Sequence, residues 1–309
     1  MTGRPFIKFD SGLYLIPLPQ DLPGFDAFIN AWLVTGKRNY LIDPGPAVTI
    51  KKLVSILQTL DIHQLDAILL THIHIDHSGG VGDFLKWFPG TPVICHHKAV
   101  DHLVDPARLW AGSLKILGET ARAYGPISPV PRESVVAAQA LSDPDIETVL
   151  TPGHAVHHVS YLLNDTLFAG EAGGVYRELP DGYYLRPATP PKFYLDISLA
   201  SISALEQIDC RRMCFGHYGM TEEAAELLDA HRQQLQLWAG EIEKLTFNPG
   251  NTDLVEYCIE TLVKKDPLLA GLTTFTPQDR QRELGFMANS IRGFLGYLKE
   301  LNSHLNTVS

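Results

Sequence analysis

The chain has 309 residues, of which 45% are hydrophobic, and it carries a formal net charge of −10. A chain of this length can bury a large core, as one big domain or as one domain with an extension. The acidic balance, with no long basic run, argues against a nucleic-acid partner. No stretch approaches the roughly 18 apolar residues of a membrane helix, so we expect no membrane contact.

Four cysteines, Cys95, Cys210, Cys214 and Cys258, are scattered along the chain and form no Cys-x-x-Cys pair. This spacing is typical of reduced residues in a cytosolic protein rather than of a disulfide framework. The first residues also lack the apolar region of a secretory signal. We therefore predict a cytoplasmic protein, and we interpret Cys214, which lies in a predicted strand, as core packing.

The beginning of the chain alternates predicted strands with one predicted helix. Apolar residues at Ile50, Leu53, Val54 and Leu57 have the spacing of one helix face, which predicts a helix over 48–60. The run at 67–70 is continuous rather than alternating, which is typical of a buried strand. Earlier strands are predicted within 7–19 and at 28–34 and 39–43. Strand, helix and strand in this order predict an α/β fold in which helices cover a sheet.

Three histidines and one aspartate follow the strand at 67–70 within six residues: His72, His74, Asp76 and His77. His72 and His74 are two apart, so in an extended segment both imidazoles point to the same side and reach one cation. Asp76 and His77 come after the chain turns and point to a second position. Imidazole and carboxylate groups suit zinc or iron. A histidine-rich surface loop is the weaker interpretation, because this density of ligand side chains at a strand end is rare.

The middle of the chain combines further strands with a helical insert. Predicted elements are a helix at 81–88, strands at 92–95, 146–150, 158–163, 167–170 and 212–215, and a helix at 196–208. The insert at 98–134 is interpreted either as a lid over the site or as a pair of solvent-facing helices. Segment 172–195 is rich in glycine, proline and tyrosine, and we predict a long irregular loop that shapes a substrate pocket.

The last part of the chain has a purely helical pattern. Helices are predicted at 221–245, 253–264 and 277–301. On the last helix, Ile291, Phe294, Leu295 and Leu298 form an apolar stripe. We predict that this stripe packs against the main domain, with a homodimer contact as the alternative.

More candidate ligands stand after other predicted strands. They occur in Tyr40-Leu41-Ile42-Asp43, Thr151-Pro152-Gly153-His154, Leu167-Phe168-Ala169-Gly170-Glu171 and Cys214-Phe215-Gly216-His217. Together with His72-x-His74-x-Asp76-His77, these motifs have the order found in metallo-β-lactamase-fold hydrolases. Over residues 6 to 220 the chain resembles that superfamily, and in particular its glyoxalase II-like branch.

This resemblance implies an α/β fold, a four-layer αβ/βα sandwich of two mixed β-sheets, with a C-terminal α-helical extension. The implied domains are a catalytic domain at 1–220, which includes the insert, and the extension at 221–309. The implied ligands of a first metal are His72, His74 and His154, and those of a second are Asp76, His77 and His217. The family usually has aspartate where this chain has Glu171, so Glu171 is expected either to bridge two metals or to cap one.

Neighbouring polar residues are not counted as ligands. Asp43 is expected to support the site by hydrogen bonding. His158 aligns with a histidine that is usually structural, and His157 beside it is not counted either. His96 and His97 follow the strand at 92–95 and are interpreted as ordinary polar residues near its end.

Two divalent ions are the implied cofactors, with zinc preferred and iron or manganese as alternatives. A bound cation lowers the pKa of its water from about 15.7 toward about 7, which makes hydroxide available for attack on a carbonyl or phosphoryl group. Asp76 is the predicted catalytic residue, which orients the nucleophile and takes its proton. A small-molecule thioester or related ester is the first substrate hypothesis.

A lactone is the second substrate hypothesis, and a phosphodiester or RNA is the third, which the net charge disfavours. A class B β-lactamase is less favoured, because of the residue at 171 and the missing secretory signal. A flavodiiron oxidoreductase would have glutamate where this chain has His74, together with a flavin domain.

Overall fold

The structure is a computed structural model that describes residues 4–9, 12–247 and 253–308, without the side chains of 302 and 304–308. Its strands are β1 (Ile7–Lys8), β2 (Leu13–Pro17), β3 (Asn30–Val34), β4 (Tyr40–Ile42), β5 (Ala67–Leu69), β6 (Val93–Cys95), β7 (Val135–Ala137), β8 (Ile146–Leu150), β9 (Val159–Leu163), β10 (Thr166–Gly170), β11 (Val175–Leu179), β12 (Gly182–Arg186), β13 (Arg212–Phe215) and β14 (Met220–Thr221). Its α-helices are α1 (Ile50–Thr59), α2 (Ile75–Ser78), α3 (Val81–Phe84), α4 (Val100–Val104), α5 (Ala107–Leu117), α6 (Glu119–Tyr124), α7 (Leu195–Leu205), α8 (Ala224–Thr246), α9 (Leu254–Lys265) and α10 (Pro277–Val308).

Most of these strands form two mixed sheets. The first sheet has the order β1-β2-β3-β4-β5-β6-β7, antiparallel up to β4 and parallel from there on. The second sheet has the order β14-β13-β10-β9-β8, in which only the β10–β13 pair is parallel. Strand β5 is buried at every position, as expected for a parallel strand covered on both faces.

Three apolar clusters separate four layers. The middle cluster lies between the sheets, where Trp32 of the first sheet meets Phe168 of the second. Another cluster joins the outer face of the first sheet to α1, α3 and the insert. The last cluster joins the outer face of the second sheet to α7, α8, α9 and α10. The layers are therefore helices, sheet, sheet and helices, and the predicted fold class with its helical extension is confirmed.

The apolar stripe of α10 is part of the third cluster. Ile291, Phe294 and Leu298 are buried there, and Leu295 packs against it. The stripe therefore packs against the main domain, as predicted. A homodimer, which stays a prediction, would need another surface. Cys214 is buried in the middle cluster, also as predicted.

The prediction of an irregular loop over 172–195 is wrong in its first half. Strands β11 and β12 pair there as an antiparallel hairpin, joined at Pro180 and Asp181. Tyrosines favour strands and proline with glycine favours turns, so the same composition encodes a hairpin. Two further strands were missed: the short strand β7 after the insert, and strand β14, which includes Thr221, so that the following helix begins only at Ala224.

Candidate metal centre

The candidate ligands meet at one edge of the two sheets because strand registers bring their ends together. In the first sheet Ile42 pairs with Leu69, so Asp43 and the segment from Thr71 onward leave neighbouring strands side by side. In the second sheet Gly170 pairs with Phe215, so Glu171 and His217 emerge together. The β8–β9 hairpin carries His154 in its loop. The carboxyl ends of parallel strands are the usual place for chemistry in such folds.

The first group of side chains comprises His72, His74, His154 and Glu171, whose ligand atoms lie within 4.8 Å of one another. His74 Nδ1 is 2.8 Å from His154 Nε2. Glu171 Oε2 is 2.9 Å from His154 Nε2 and 3.3 Å from His72 Nε2. The three histidines that the sequence assigned to a first metal are therefore brought together.

The second group comprises Asp76, His77 and His217, again within 4.8 Å. Asp76 Oδ2 is 3.6 Å from His77 Nε2 and 3.9 Å from His217 Nε2. Asp76 and His77 belong to the short helix α2, whose start after His74 turns them away from the extended pair. The predicted second set is thus also brought together.

Glu171 contacts both groups through different oxygens. Its Oε1 is 3.4 Å from His217 Nε2, whereas its Oε2 faces the first group and lies 3.7 Å from His77 Nε2. Gly170 precedes it with a φ of +56°, and a Cβ at Gly170 would come within 2.5 Å of His158 Nε2. Glycine is required there for conformation and close approach, which lets Glu171 enter the site.

Hydrogen bonds behind the histidines fix which ring nitrogens face the site. Asp43 accepts hydrogen bonds from the Thr71 amide at 2.8 Å and the Thr71 hydroxyl at 2.6 Å, and it pairs with His77 Nδ1 at 3.2 Å. The Thr71 hydroxyl is also 3.0 Å from His72 Nδ1. Asp43 therefore contacts the Nδ1 side of His77 and, through Thr71, that of His72, away from the Nε2 atoms that face the site. This position agrees with the expected supporting role.

Backbone carbonyls orient the rings of His154 and His217. The carbonyl of Ala188 lies 2.8 Å from His154 Nδ1, and that of Phe28 lies 3.2 Å from His217 Nδ1. The Phe28 ring also stacks on His217, with centroids 3.9 Å apart. Such partners orient ligating imidazoles in metal sites. Sequence analysis missed Phe28 and Ala188, because neither residue type signals this role.

The other histidines stand outside both groups. His158 is fully buried, pairs with the Thr151 hydroxyl at 2.8 Å and accepts a hydrogen bond from the Glu171 amide at 3.2 Å. His96 accepts from the Lys98 amide, and His97 pairs with the side chain of Gln139. His157 lines the cleft above the site without joining a ligand group.

Burial and neighbouring charges shift the pKa values of these groups in different directions. Burial lowers the pKa of His72 and His74, which keeps them neutral. Burial would raise the pKa of Glu171, but the His154 and His217 charges outweigh it and hold that pKa low. Burial opposes charge on His77 as well, yet the Asp76 and Asp43 carboxylates raise its pKa to about 9.

Two buried nitrogen atoms without hydrogen-bond partners indicate that this site fits a metal ion. The Nε2 atoms of His72 and His77 are buried and lack a hydrogen-bond partner within the described part of the chain. Buried polar atoms without partners are costly, and they call for a ligand. Because Thr71 and Asp43 contact the Nδ1 atoms of these rings, the Nε2 atoms are the ones available to bind a metal ion. The set offers nitrogen and oxygen only, which suits zinc, iron or manganese.

A cleft of about 360 Å³ opens above the two groups. Helix α5 of the insert forms one wall through Leu109 and Ile116, and helix α10 contributes Phe286 and Asn289. The insert therefore covers the site, which corresponds to the lid interpretation. Arg186 also lines the cleft, but it is bound to the buried Glu283 at 2.5 Å. Sequence analysis missed the contribution of α10, since nothing in the helical pattern indicates which face meets a cleft.

Comparisons with known proteins agree with this geometry. The profile of the metallo-beta-lactamase superfamily matches residues 24–217. The metallo-beta-lactamase fold-containing protein ST1585 of Sulfurisphaera tokodaii is 25% identical over 72% of this chain and 84% of that protein. The probable metallo-hydrolase MJ0888 of Methanocaldococcus jannaschii is 32% identical over 52% of this chain and 77% of that protein. A hydroxyacylglutathione hydrolase of Salmonella paratyphi A is 28% identical over 53% of this chain, and the match spans 57% of that enzyme.

Solved structures share the fold. The crystal structure of ST1585 from Sulfolobus tokodaii matches with a TM-score of 0.63 at 23% identity, over 85% of this chain and 99% of that one. The family protein TTHA1429 from Thermus thermophilus matches with a TM-score of 0.61 at 20% identity, over 94% of both chains. At these identities the structures support the fold alone. Because the family profile covers more than half of the sequence, the chain belongs to the metallo-beta-lactamase superfamily.

Proposed function

We propose that this metal-dependent hydrolase uses two divalent ions, preferably zinc, to cleave a thioester or related ester of a small molecule. The observation that carries the proposal is the pair of unpartnered Nε2 atoms, on His72 and His77, which face Glu171 at the base of a cleft. His72, His74 and His154 would hold one ion, and Asp76, His77 and His217 the other, with Glu171 between them. When bound, such ions lower the pKa of water and polarise a carbonyl oxygen.

The chain's own residues would then position the reaction. Asp76 lies at the base of the cleft and would orient the attacking water and accept its proton. A bond forms from the water oxygen to the carbonyl carbon, the carbon–sulfur bond breaks, and the proton ends on the departing thiol. The lid helix α5 and helix α10 would shield this site from bulk water.

The choice of a carbonyl substrate rests on the relatives and on charge. The hydroxyacylglutathione hydrolases are named for cleaving a glutathione thioester, which supports the same bond type here. A lactone is the alternative, since its carbonyl would meet the same groups. A phosphodiester or RNA is less favoured for a chain of net charge −10.

We also propose a cytoplasmic location. The support for this location is that all four cysteines are free thiols in the structure. No helix in the described ranges is long and apolar enough to span a membrane.

Metal analysis tests the proposed cofactors. We expect one to two transition-metal ions per purified chain, and we expect the double variant His72→Ala and His74→Ala to lose at least one of them. His63→Ala is a matched control, because His63 is exposed and pairs with the exposed Asp61. A protein that stays fully active without metal after overnight chelation would refute the metal-dependent mechanism.

A substrate panel tests the reaction. The purified protein is assayed with simple thioesters, lactones and phosphodiesters, including bis-p-nitrophenyl phosphate. We expect the highest kcat/KM for a thioester, with a lactone second. Preferred turnover of the phosphodiester, with no carbonyl substrate cleaved, would overturn the proposed bond type.

A further inference from the structure

A second hollow of about 360 Å³ adjoins the cleft above the candidate metal centre. Four side chains line both hollows, Ile116 and Leu117 on helix α5, and Phe286 and Asn289 on helix α10. The two hollows therefore lie side by side between these helices, and together they are called the groove. One end of this groove is the pair of ligand groups, and the other reaches Phe25 and Gln278. Its occupant must then present its reacting bond at the ligand groups and extend from there.

The lid helix presents apolar side chains to this groove that the chain covers only in part. Leu109, Leu114 and Leu117 of α5 pack against the cluster on the outer face of the first sheet, yet none of the residues of α5 is fully buried. Ile116 is 63% exposed. Apolar side chains on a surface helix normally pack against the core. On α5, the exposed side chain of Ile116 is available for contact with another molecule in the groove.

Two glycines in helix interiors stand on opposite walls of the groove. Gly112 of α5 lines the first hollow and Gly285 of α10 lines the second. A Cβ at either position would meet nothing within 4 Å, so the packing of the chain does not require glycine. Glycine inside a helix costs about 1 kcal/mol relative to alanine. Both glycines therefore leave space in the groove that an apolar chain of the substrate would fill.

The groove offers little to a highly charged ligand. Arg186 and Arg282 are both bound to Glu283, and Arg282 also bonds Asp279. Among the described residues that line either hollow, Arg108 is the one arginine outside these ion pairs, and no lysine lines them. The remaining polar contacts at the far end are neutral, from Gln278, Gln281 and Asn289.

We propose that the substrate is an ester or thioester with an extended apolar chain, which lies between α5 and α10 beside Gly112 and Gly285. This inference rests on the proposed function, since it takes the reacting carbonyl to sit at the metal centre. It goes beyond the bond type, because it assigns the lid and the last helix to recognition of an alkyl or aryl chain.

Two series of thioesters test the proposal and identify which side of the carbonyl carries the chain. In one series the acyl group grows from acetyl to octanoyl on N-acetylcysteamine, and in the other the thiol grows from ethyl to octyl with acetyl fixed. A fully buried methylene contributes about 0.8 kcal/mol, or about fourfold. We expect kcat/KM to rise on the order of tenfold or more along one series. A flat response in both, with acetyl thioesters cleaved, would overturn the proposal and leave the hydrolase assignment intact.

Leucine variants test the groove itself. We expect Gly112→Leu and Gly285→Leu to lower the ratio of octyl-chain to short-chain kcat/KM on the order of tenfold, because the new side chain fills the groove. Gly240→Leu in α8 is the matched control, since a Cβ there also meets nothing within 4 Å and Gly240 does not line either hollow. An unchanged ratio in both groove variants would contradict the proposal.

A binding measurement separates this inference from turnover. The probe is a ketone analogue of the octanoyl thioester, with a methylene between carbonyl and sulfur, titrated by calorimetry. Saturable binding that Gly112→Leu weakens at least tenfold supports the groove even if no ester is cleaved, and in that case the proposed function alone fails. If the probe does not bind, and Ile116→Glu instead converts a dimer into monomers, the lid face is a contact between copies and the proposal is wrong.

Discussion

At the residue scale, Glu171 is the side chain at which the proposal of two ions can be tested. Its two oxygens face different ligand groups, with Oε2 2.9 Å from His154 Nε2 and Oε1 3.4 Å from His217 Nε2. This arrangement favours the bridging interpretation over capping. Removing the shared anion would leave two cations facing each other, so we expect Glu171→Ala to lose one ion.

The shorter carboxylate and a control complete this test. Glu171→Asp restores the residue usual in the family, and the chain needs to move only about 1.5 Å, one C–C bond length, to compensate. We expect it to keep both ions and much of the rate. Glu178→Ala changes an exposed glutamate in β11 and should keep the wild-type metal count. Two fully occupied ions in Glu171→Ala would remove this residue from the ligand set.

The sequence itself indicated His72 and Asp76 because they are ligand types that follow an apolar strand, whereas the role of Glu171 was implied by the family resemblance. The structure brings all three together at one edge of the two sheets. Phe28 and Ala188 could not be found in this way. Both act through a backbone carbonyl, which every residue has, and Phe28 also through its ring, so their residue types give no signal. Only the fold brings them to His217 and His154.

At the element scale, local patterns predicted which segments are regular but not where they dock. The hairpin of β11 and β12 was missed because its glycines, prolines and tyrosines fit both a loop and tight strand pairing. The sequence allows two interpretations of the insert, a lid over the site or a pair of solvent-facing helices. Helical spacing identifies an apolar face but does not show what that face packs against. The position of α5 above the ligand groups depends on contacts distant in sequence, which periodicity does not contain.

Helix α10 is joined to the β12 strand by a buried ion pair. Glu283 is fully buried and accepts hydrogen bonds from Arg186, Tyr184 and Tyr218, and Arg282 pairs with it as well. Removing one partner of a buried pair leaves an uncompensated charge, which costs roughly 3–5 kcal/mol. We therefore expect Glu283→Gln to lower the free energy of unfolding by about that amount at pH 7, measured with urea.

The pH dependence of this effect has a defined sign. Burial would raise the pKa of Glu283, but Arg186 and Arg282 outweigh it and lower that pKa to about 2. The stability from this carboxylate is therefore complete above its unfolded pKa of about 4.3 and is lost as the pH falls toward 2. The difference between wild type and Glu283→Gln should shrink over that window, with chelator present in both samples. Glu300→Gln, exposed on the same helix, should change little at any pH, and an equal loss in Glu300→Gln would contradict the buried pair as the cause.

At the scale of the whole molecule, the negative net charge of the chain favours a carbonyl substrate over a nucleic acid. The chain carries 35 acidic and 25 basic residues, which gives the net charge of −10. Proteins that bind nucleic acids neutralise phosphates with lysine and arginine, and their affinity falls steeply with salt. Here the two arginines deepest in the groove are already bound to Glu283. A polyanion would therefore meet repulsion from the molecule and few free cations at the site.

We accordingly expect no saturable binding of a single-stranded RNA of about 20 nucleotides by fluorescence anisotropy, even at low salt where electrostatic attraction is strongest. An alkyl thioester should be cleaved at a rate that changes little between low and high salt, because its recognition depends on apolar contact. Arg108→Ala is the control for weak electrostatic attraction between RNA and the cleft. This arginine is exposed at the cleft and has no ion pair among the described residues. Tight RNA binding that weakens steeply with salt would show that a local basic surface outweighs the net charge, and a nuclease would then replace the thioesterase as the preferred function.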